Sequence, residues 1–171
     1  MKRIGLLSDT HGYVHPRVFD FFASCDEIWH AGDIGNTETA DVLSAFKPIR
    51  AVHGNIDDYK VRLMFPEVLQ FEIEGLSVFM VHIGGYPGRY APGIREKLLV
   101  AKPGLFISGH SHILKVVPDP RMKLLHINPG ACGKQGMHTK ITLVKFEIDQ
   151  GRPKNLEIME IERKGPPSLN Y

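Results

Sequence analysis

Residues that can bind metal ions recur next to glycines along the sequence. Seven of them are candidate metal ligands: Asp9, His11, Asp33, Asn55, His82, His110 and His112. Their carboxylate, amide and imidazole groups suit borderline or hard divalent cations better than thiophilic ones. Two ions accommodate seven ligands better than one ion does, so the set predicts a binuclear metal site.

The spacing of these residues supports a shared site. Asp9 and His11 are two residues apart, as are His110 and His112, and residues two apart in an extended chain project to the same side. Taken singly, a lone aspartate is more often a turn former, and a lone histidine is more often a hydrogen-bonded structural group. Turns alone do not explain ligand-type residues beside glycines at five separate places.

Each polar cluster follows a short apolar run of strand length. These runs cover residues 4–7, 28–29, 49–52, 76–81 and 105–107. Between them we predict helices over residues 15–24, 37–46 and 94–101, and Asn36 is the expected N-cap of the second helix. Strands that alternate with helices predict an α/β domain, whose functional crevice lies beyond the carboxyl ends of the strands. All five clusters sit at such ends.

The pattern changes after residue 112. Four strands are predicted without helices between them, over residues 113–117, 123–127, 139–148 and 156–161. We expect them to form a second, mainly antiparallel sheet that packs on the first. Residues 1–162 then form a single domain, which is long enough to bury a core. Residues 163–171, rich in Gly, Pro and polar groups, are expected to form a loose C-terminal tail.

The polar clusters resemble, in order and spacing, the successive motifs of the calcineurin-like metallophosphoesterases. The matching segments are Asp9-Thr10-His11-Gly12, Gly32-Asp33, Gly54-Asn55, His82 and Gly109-His110-Ser111-His112. The short chain and its Asn128-Pro129-Gly130 turn look like the small bacterial and archaeal phosphodiesterase branch, so the resemblance covers roughly residues 2–148. It implies a four-layer α-β-β-α sandwich of two mixed β-sheets flanked by helices.

The resemblance also implies a role for each candidate ligand. One ion is held by Asp9, His11, Asp33 and His112, and the other by Asp33, Asn55, His82 and His110. Asp33 is then the bridging carboxylate and, with Asn55 and His82, forms the catalytic set. Two divalent cations, Mn²⁺ by preference and Fe, Ni or Zn as alternatives, would activate the water that attacks a phosphodiester.

One position departs from the family pattern. Many members read Gly-Asn-His-Asp, with the histidine beside the leaving group, where this chain has Gly54-Asn55-Ile56-Asp57. Ile56 cannot donate a proton. This favours esters with good leaving groups, because general-acid help is worth about 10²–10⁴-fold. His53 or, alternatively, His30 is a candidate for the missing acid.

The segment 84–93 is glycine-rich and aromatic, as loops that face a substrate often are. In it, Arg89 is a candidate to bind a phosphate oxygen and the tyrosines to pack on a base or aryl group. The alternative is a plain connecting loop.

Composition and charge exclude several other function classes. The 21 basic and 19 acidic residues leave a net charge of +2 without a basic stripe, so no nucleic-acid partner is indicated. No apolar stretch approaches the ~20 residues that cross a bilayer, and the N-terminal apolar run is too short for a signal peptide. We therefore expect a cytoplasmic protein. Cys25 and Cys132 lack the spacing of a thiolate metal site.

The expected partner is a small phosphate-ester substrate, and the sequence leaves open whether the chain forms a homo-oligomer. Two other functions fit the same motifs. One is a phosphomonoesterase or nucleotide phosphatase with the same metal site. The other is a non-catalytic protein-interaction scaffold, because a retromer subunit has a similar fold.

Overall fold

The computed structural model describes residues 1–163, so the predicted C-terminal tail lies outside the described residues from residue 164 on. The strands are β1 (Lys2–Leu7), β2 (Glu27–His30), β3 (Ile49–Ala51), β4 (Val68–Ile73), β5 (Leu76–Val81), β6 (Gly85–Tyr86), β7 (Arg89–Tyr90), β8 (Leu105–Ile107), β9 (Leu114–Asp119), β10 (Leu124–Pro129), β11 (Lys140–Asp149) and β12 (Arg152–Glu162). The helices are α1 (Arg17–Phe21), α2 (Thr37–Phe46), α3 (Tyr59–Met64) and α4 (Ile94–Ala101). The bounds of α2, α4, β5 and β8 are those predicted.

Ten of the strands form two five-stranded sheets. The strand order is β12-β11-β1-β2-β3 in the first sheet and β4-β5-β8-β10-β9 in the second. In the first sheet β1, β2 and β3 are parallel, and β11 runs antiparallel to β1. In the second sheet β5, β8 and β10 are parallel, with β4 and β9 as antiparallel edges. Both sheets are therefore mixed, and β6 and β7 pair as a separate hairpin.

The prediction that the strands after residue 112 form a second sheet of their own is wrong. β9 and β10 join β5 and β8, whereas β11 and β12 extend the sheet of β1. Hydrophobic alternation identifies a strand without identifying its partner. Val144 and Phe146 of β11 are buried in the same core as Ile4 and Leu6 of β1, and this shared face places β11 beside β1.

Four layers result, as predicted, because alternate residues of the central strands are buried on opposite faces. Leu6, Trp29, Met80 and Ile107 lie in the core between the sheets. On the outer face of the first sheet, Leu7 and Ile28 pack with α1 and α2. On the outer face of the second sheet, Phe79 and Phe106 pack with α4. Helices thus flank both sheets, which confirms the α-β-β-α sandwich.

The helices differ from prediction in two places. α1 is shorter than the predicted 15–24: it starts after Pro16 and ends at Phe21, before a turn. α3 was not predicted, because Tyr59, Leu63 and Met64 are exposed and give no amphipathic pattern. Asn36 caps α2 as expected, accepting a hydrogen bond of 2.8 Å from the Thr39 amide. Within residues 1–163, no helix has the length and apolar character needed to cross a membrane.

Gly5 of β1 tests the packing of Phe22, the residue that follows α1, on the first sheet. A Cβ at Gly5 would lie 2.7 Å from the Phe22 ring, so Gly5→Ala should lower the free energy of unfolding by about 1–3 kcal/mol through overpacking. In a Phe22→Leu background the same substitution should cost under ~0.5 kcal/mol, since contacting residues are not additive. Urea unfolding of the four variants measures both costs. Equal costs in the two backgrounds would contradict the contact.

Candidate metal centre

Loops at the carboxyl ends of four strands, β1, β2, β5 and β8, bring the aspartates and histidines among the candidate ligands into two groups. One group is Asp9, His11 and His112, and the other is Asp33, His82 and His110. Within each group, one ligand atom from each residue lies within 4.8 Å of the others. The aspartates follow β1 and β2 of the first sheet, whereas His82, His110 and His112 follow β5 and β8 of the second. Each group therefore draws on both sheets.

Both carboxylates lie between imidazoles of the two groups. Asp33 Oδ2 is 3.1 Å from His82 Nε2 and 3.6 Å from His11 Nε2. Asp9 Oδ1 is 3.2 Å from His112 Nε2 and 3.8 Å from His82 Nε2. The two aspartates therefore join the two groups into one centre.

Three of the inward-facing atoms make no hydrogen bond within residues 1–163, although they are buried. They are Asp9 Oδ1, His11 Nε2 and His82 Nε2. Buried polar atoms are normally paired, and a group that remains unpaired calls for an explanation such as an ion. The unpaired atoms are one carboxylate oxygen and two imidazole nitrogens, which is the donor set of a divalent cation. The residues therefore fit such an ion.

The opposite ends of two of these side chains, Asp9 and His82, are anchored to the protein. Asp9 Oδ2 accepts hydrogen bonds from Ser8 Oγ at 2.6 Å and from the His110 amide at 3.2 Å. The Nδ1 atom of His82 lies 2.7 Å from the Ala31 carbonyl oxygen, so Nδ1 carries the proton and donates it. This tautomer leaves the Nε2 lone pair of His82 free, as metal-binding histidines require.

The ionisation of the buried groups favours cation binding. Burial opposes the negative charge of Asp9, but the His112 and His82 imidazoles outweigh burial and lower the pKa of Asp9. The pKa of Asp33 is also lowered, because His82 outweighs the effect of burial. Burial disfavours the charged form of His82, yet Asp33 and Asp9 raise the pKa of His82. A proton on His82 and a cation would therefore compete for the same two carboxylates.

Backbone strain is concentrated at the candidate ligands. Five of the ten non-glycine residues with positive φ in residues 1–163 are Asp9, His11, Asp33, His110 and His112, with φ between 48° and 68°. Such conformations cost free energy and persist where the surroundings impose them, often at functional sites. The loops therefore aim these side chains inward at an energetic cost.

Sequence reasoning gave no role to Asp57, which joins two of the ligand loops. Its carboxylate accepts hydrogen bonds from the amides of Gly54, Gly35 and Ile34, at 2.7, 2.8 and 3.2 Å. A Cβ at Gly54 would clash with Asp33 Oδ1, so the loop after β3 lies directly against Asp33. The only available signal was that Asp57 closes the Gly54-Asn55 motif. Asn128 has a similar bracing role, donating hydrogen bonds to the Gly109 carbonyl and Ser111 Oγ.

Asn55 and His53 line an adjoining cavity of about 480 Å³ that His82 also lines. Asn55 is exposed, and its backbone carbonyl oxygen accepts a hydrogen bond of 3.2 Å from the Arg62 guanidinium. His53 is partly buried, and its Nδ1 is 3.4 Å from the Gly54 carbonyl oxygen. Arg62 braces this loop and lines the same cavity, a contribution that sequence reasoning missed.

Arg89 is exposed on β7, at the wall of a second adjoining cavity that His110 also lines. It also faces a larger cavity of about 860 Å³ behind the hairpin, which touches none of the candidate ligands. Of these three cavities, the two beside His82 and His110 adjoin ionisable groups of the centre, whereas the larger one does not.

His30 has a structural environment. It is fully buried, its Nδ1 accepts from the Gly32 amide at 3.1 Å, and its Nε2 lies 2.9 Å from Thr10 Oγ1. Burial lowers the pKa of His30 to about 4, so the ring is neutral and both nitrogens are paired. This geometry disfavours His30 as the missing acid.

Asp57→Ala should weaken metal binding although Asp57 is not a candidate ligand. The substitution leaves three backbone amides without their acceptor, so the free energy of unfolding should fall by at least ~2 kcal/mol. The affinity for Mn²⁺ should fall by about 10–100-fold, because the loops that carry the ligands are no longer held in place. The control is Asp58→Ala, which removes the N-cap of α3 at a cost of about 1 kcal/mol. Calorimetric titration with Mn²⁺ measures affinity. Equal Mn²⁺ affinities for the two variants would contradict the bracing role.

Comparison with known proteins places this geometry in a family. Residues 1–151 match the calcineurin-like phosphoesterase superfamily domain. A probable metallophosphoesterase of Methanothermobacter thermautotrophicus is 30% identical over 178 aligned positions, which cover 98% of both chains.

Solved structures share the fold. An archaeal protein described as a novel phosphodiesterase superposes with a TM-score of 0.74 at 19% identity, covering 93% of this chain and 99% of its own. Vps29 of Chaetomium thermophilum superposes with a TM-score of 0.73 at 12% identity, covering 97% and 100%. The family match spans the whole candidate centre, and this chain belongs to the calcineurin-like phosphoesterase superfamily.

Proposed function

We propose that the chain is a binuclear-metal-dependent phosphodiesterase. Asp9, His11, Asp33 and His112 would hold one ion, and Asp33, Asn55, His82 and His110 the other. Mn²⁺ is the preferred cation, with Fe, Ni or Zn as alternatives. When bound, such a pair of cations supplies an activated water and neutralises charge on the phosphate. The unpaired buried atoms of Asp9, His11 and His82 support this assignment.

The observation that favours a diester is the pair of cavities beside the second ligand group. His82 lines the cavity of about 480 Å³, and His110 lines one of about 200 Å³. The two imidazole rings lie 5.3 Å apart, so both cavities adjoin one part of the centre, the point between His82 and His110. A phosphate held at that point could place one ester arm in each cavity, whereas a monoester needs only one. The neighbour titled as an archaeal phosphodiesterase agrees with this choice.

The chain's own residues would position the substrate and carry the proton. Arg89, on the hairpin beside the smaller cavity, is the proposed ligand of a phosphate oxygen. His53 lines the larger cavity and is the proposed acid for an arm that departs there. The positively charged Arg62 side chain lies in the same cavity and holds the loop of Asn55 in place.

The diester preference is tested with substrates that share a leaving group. Protein loaded with Mn²⁺ should hydrolyse bis(4-nitrophenyl) phosphate with a kcat/KM roughly tenfold or more above that for 4-nitrophenyl phosphate, because only the diester has a second arm to bind in the second cavity. Asp33→Asn should lower the diester rate by at least ~10²-fold, as the loss of a charge-stabilising group does.

The control for Asp33→Asn is Asp41→Asn, at an exposed aspartate of α2, which should match the parent. If the protein hydrolyses the monoester faster than the diester, the proposal is wrong and the chain is a phosphomonoesterase with the same metal site. A non-catalytic protein-interaction scaffold of the same fold is the other alternative. Absence of hydrolysis of either ester by a sample that binds Mn²⁺ would favour that scaffold.

Ile56 offers a second test, because it is 45% exposed on the loop that carries Asn55. Ile56→His should supply a proton donor. It should raise the rate with diphenyl phosphate more than the rate with phenyl 4-nitrophenyl phosphate, because the phenolate that leaves diphenyl phosphate is the more basic leaving group. The expected gain for diphenyl phosphate is about tenfold or more. Ile56→Gln is the matched control without a titratable group. If both variants change the two rates equally, position 56 does not deliver a proton.

A further inference from the structure

The loop that joins β10 to β11, residues 130–139, lies against the candidate ligand His112. A Cβ at Gly136 would lie 2.3 Å from His112 Nδ1, so the loop backbone is directly beside this ring. The His138 ring contacts the His112 ring edge to face, with centroids 5.1 Å apart and planes at 83°. The other nitrogen of His112, Nε2, lies 3.2 Å from Asp9 Oδ1. One nitrogen of His112 therefore faces the loop, and the other faces the metal centre.

His112 is oriented by different contacts from His82. The Nδ1 atom of His82 donates a hydrogen bond to the Ala31 carbonyl. His112 instead has a φ of 59°, a conformation that costs free energy in a non-glycine residue. A metal-binding histidine needs a partner at its second nitrogen to keep the first aimed at the ion. Residues 130–139 occupy that place beside His112.

His138 ties the loop back onto the segment of Asp9. Its Nε2 lies 2.9 Å from the Gly133 carbonyl oxygen, so Nε2 carries the proton and donates it. The Gly133 amide in turn donates to the Asp9 carbonyl at 2.9 Å. The Nδ1 of His138 then carries a lone pair, and it is buried without a hydrogen bond within residues 1–163. This lone pair faces Gly136, as His112 Nδ1 does, and favours the His112 tautomer with a proton on Nδ1.

Arg163, directly after β12, holds the middle of the same loop. Its Nη1 donates hydrogen bonds to the carbonyls of Lys134 and Gly136, at 2.6 and 2.8 Å. Its backbone amide donates to the Thr139 carbonyl at 2.9 Å. Hydrogen bonds from a charged donor are stronger than those between neutral groups. One side chain at the edge of the first sheet thus fixes the part of the loop that meets His112.

We propose that Arg163 and His138 are positioning residues for the first ligand group. They hold the 130–139 loop against His112, so that Nε2 of His112 stays aimed at the ion. The proposal rests on the proposed function, which places an ion among Asp9, His11 and His112. A plain connection between two strands would need neither anchor for metal binding, and the experiment separates these two roles of the loop.

Gly136→Ala tests the contact from the side of the loop, because its added methyl group would meet His112 Nδ1. Metal-free protein is titrated with Zn²⁺ against a competing chelator, and the ring ¹⁵N signals of His112 and His110 report one ligand group each. The affinity reported by His112 should fall by about 10–100-fold, and that reported by His110 should stay within about threefold. Gly88→Ala is the matched control, since Gly88 also has a positive φ but no atom within 4 Å of the added Cβ.

Arg163→Met tests the anchor, because methionine keeps a long side chain but cannot donate to the two carbonyls. The affinity reported by His112 should fall by roughly tenfold. The control is Arg152→Met, at an exposed arginine that begins the same strand, and it should match the parent. His138→Phe keeps a ring beside His112 without the hydrogen bond to Gly133, and it should lower the same affinity. If Gly136→Ala does not fold, these two variants carry the test.

An unchanged affinity at His112 in Arg163→Met and His138→Phe would overturn the proposal. Equal falls at His110 and His112 would also overturn it, because a general loss of stability affects both ligand groups alike. The proposed function has a separate readout in the parent protein. It fails if the parent neither binds two ions nor hydrolyses the diester, whereas the positioning role fails if the parent binds both ions and the variants bind them as tightly.

Discussion

The structure depends on holding buried carboxylates and imidazoles close together with their ligand atoms left free. Asp9 and His82 meet this constraint in the same way, because the outer atom of each is hydrogen-bonded to the protein and the inner atom is not. Ser8 and the His110 amide hold one oxygen of Asp9, and the Ala31 carbonyl holds one nitrogen of His82. The atoms that face the centre are then fixed in position before any ion arrives, which reduces the ordering cost of binding.

The loops meet this constraint through glycine and backbone strain. Gly32 and Gly54 let the backbone approach the His82 ring and the Asp33 carboxylate more closely than any side chain would allow. Positive φ values at Asp9, Asp33 and His110 turn the side chains inward. The two rigid sheets below compensate this local cost, since their core of Trp29, Met80 and similar residues is fully buried.

The sequence identified the residues that gather at the candidate centre, and the fold class, better than it identified which strands pair. Residues such as Asp9 and His82 were identifiable because their chemistry and their position after apolar runs coincide, and α2 was identifiable from its N-cap and period. The strands that pair with β11 could not be identified from the sequence, because pairing depends on which buried faces share a core. Asp57 was overlooked for a related reason. Its importance comes from three amides that only the folded chain brings together.

The origin of the two ligand groups has a consequence for the whole molecule. Each group combines aspartate from the first sheet with histidine from the second, and residues as distant in sequence as Asp9 and His112 meet in one of them. An ion in either position would therefore cross-link the two halves of the sandwich. By mass action, the resistance of the fold to unfolding would then rise with the concentration of free cation. The supply of metal would set how long the folded protein survives as well as whether it can react.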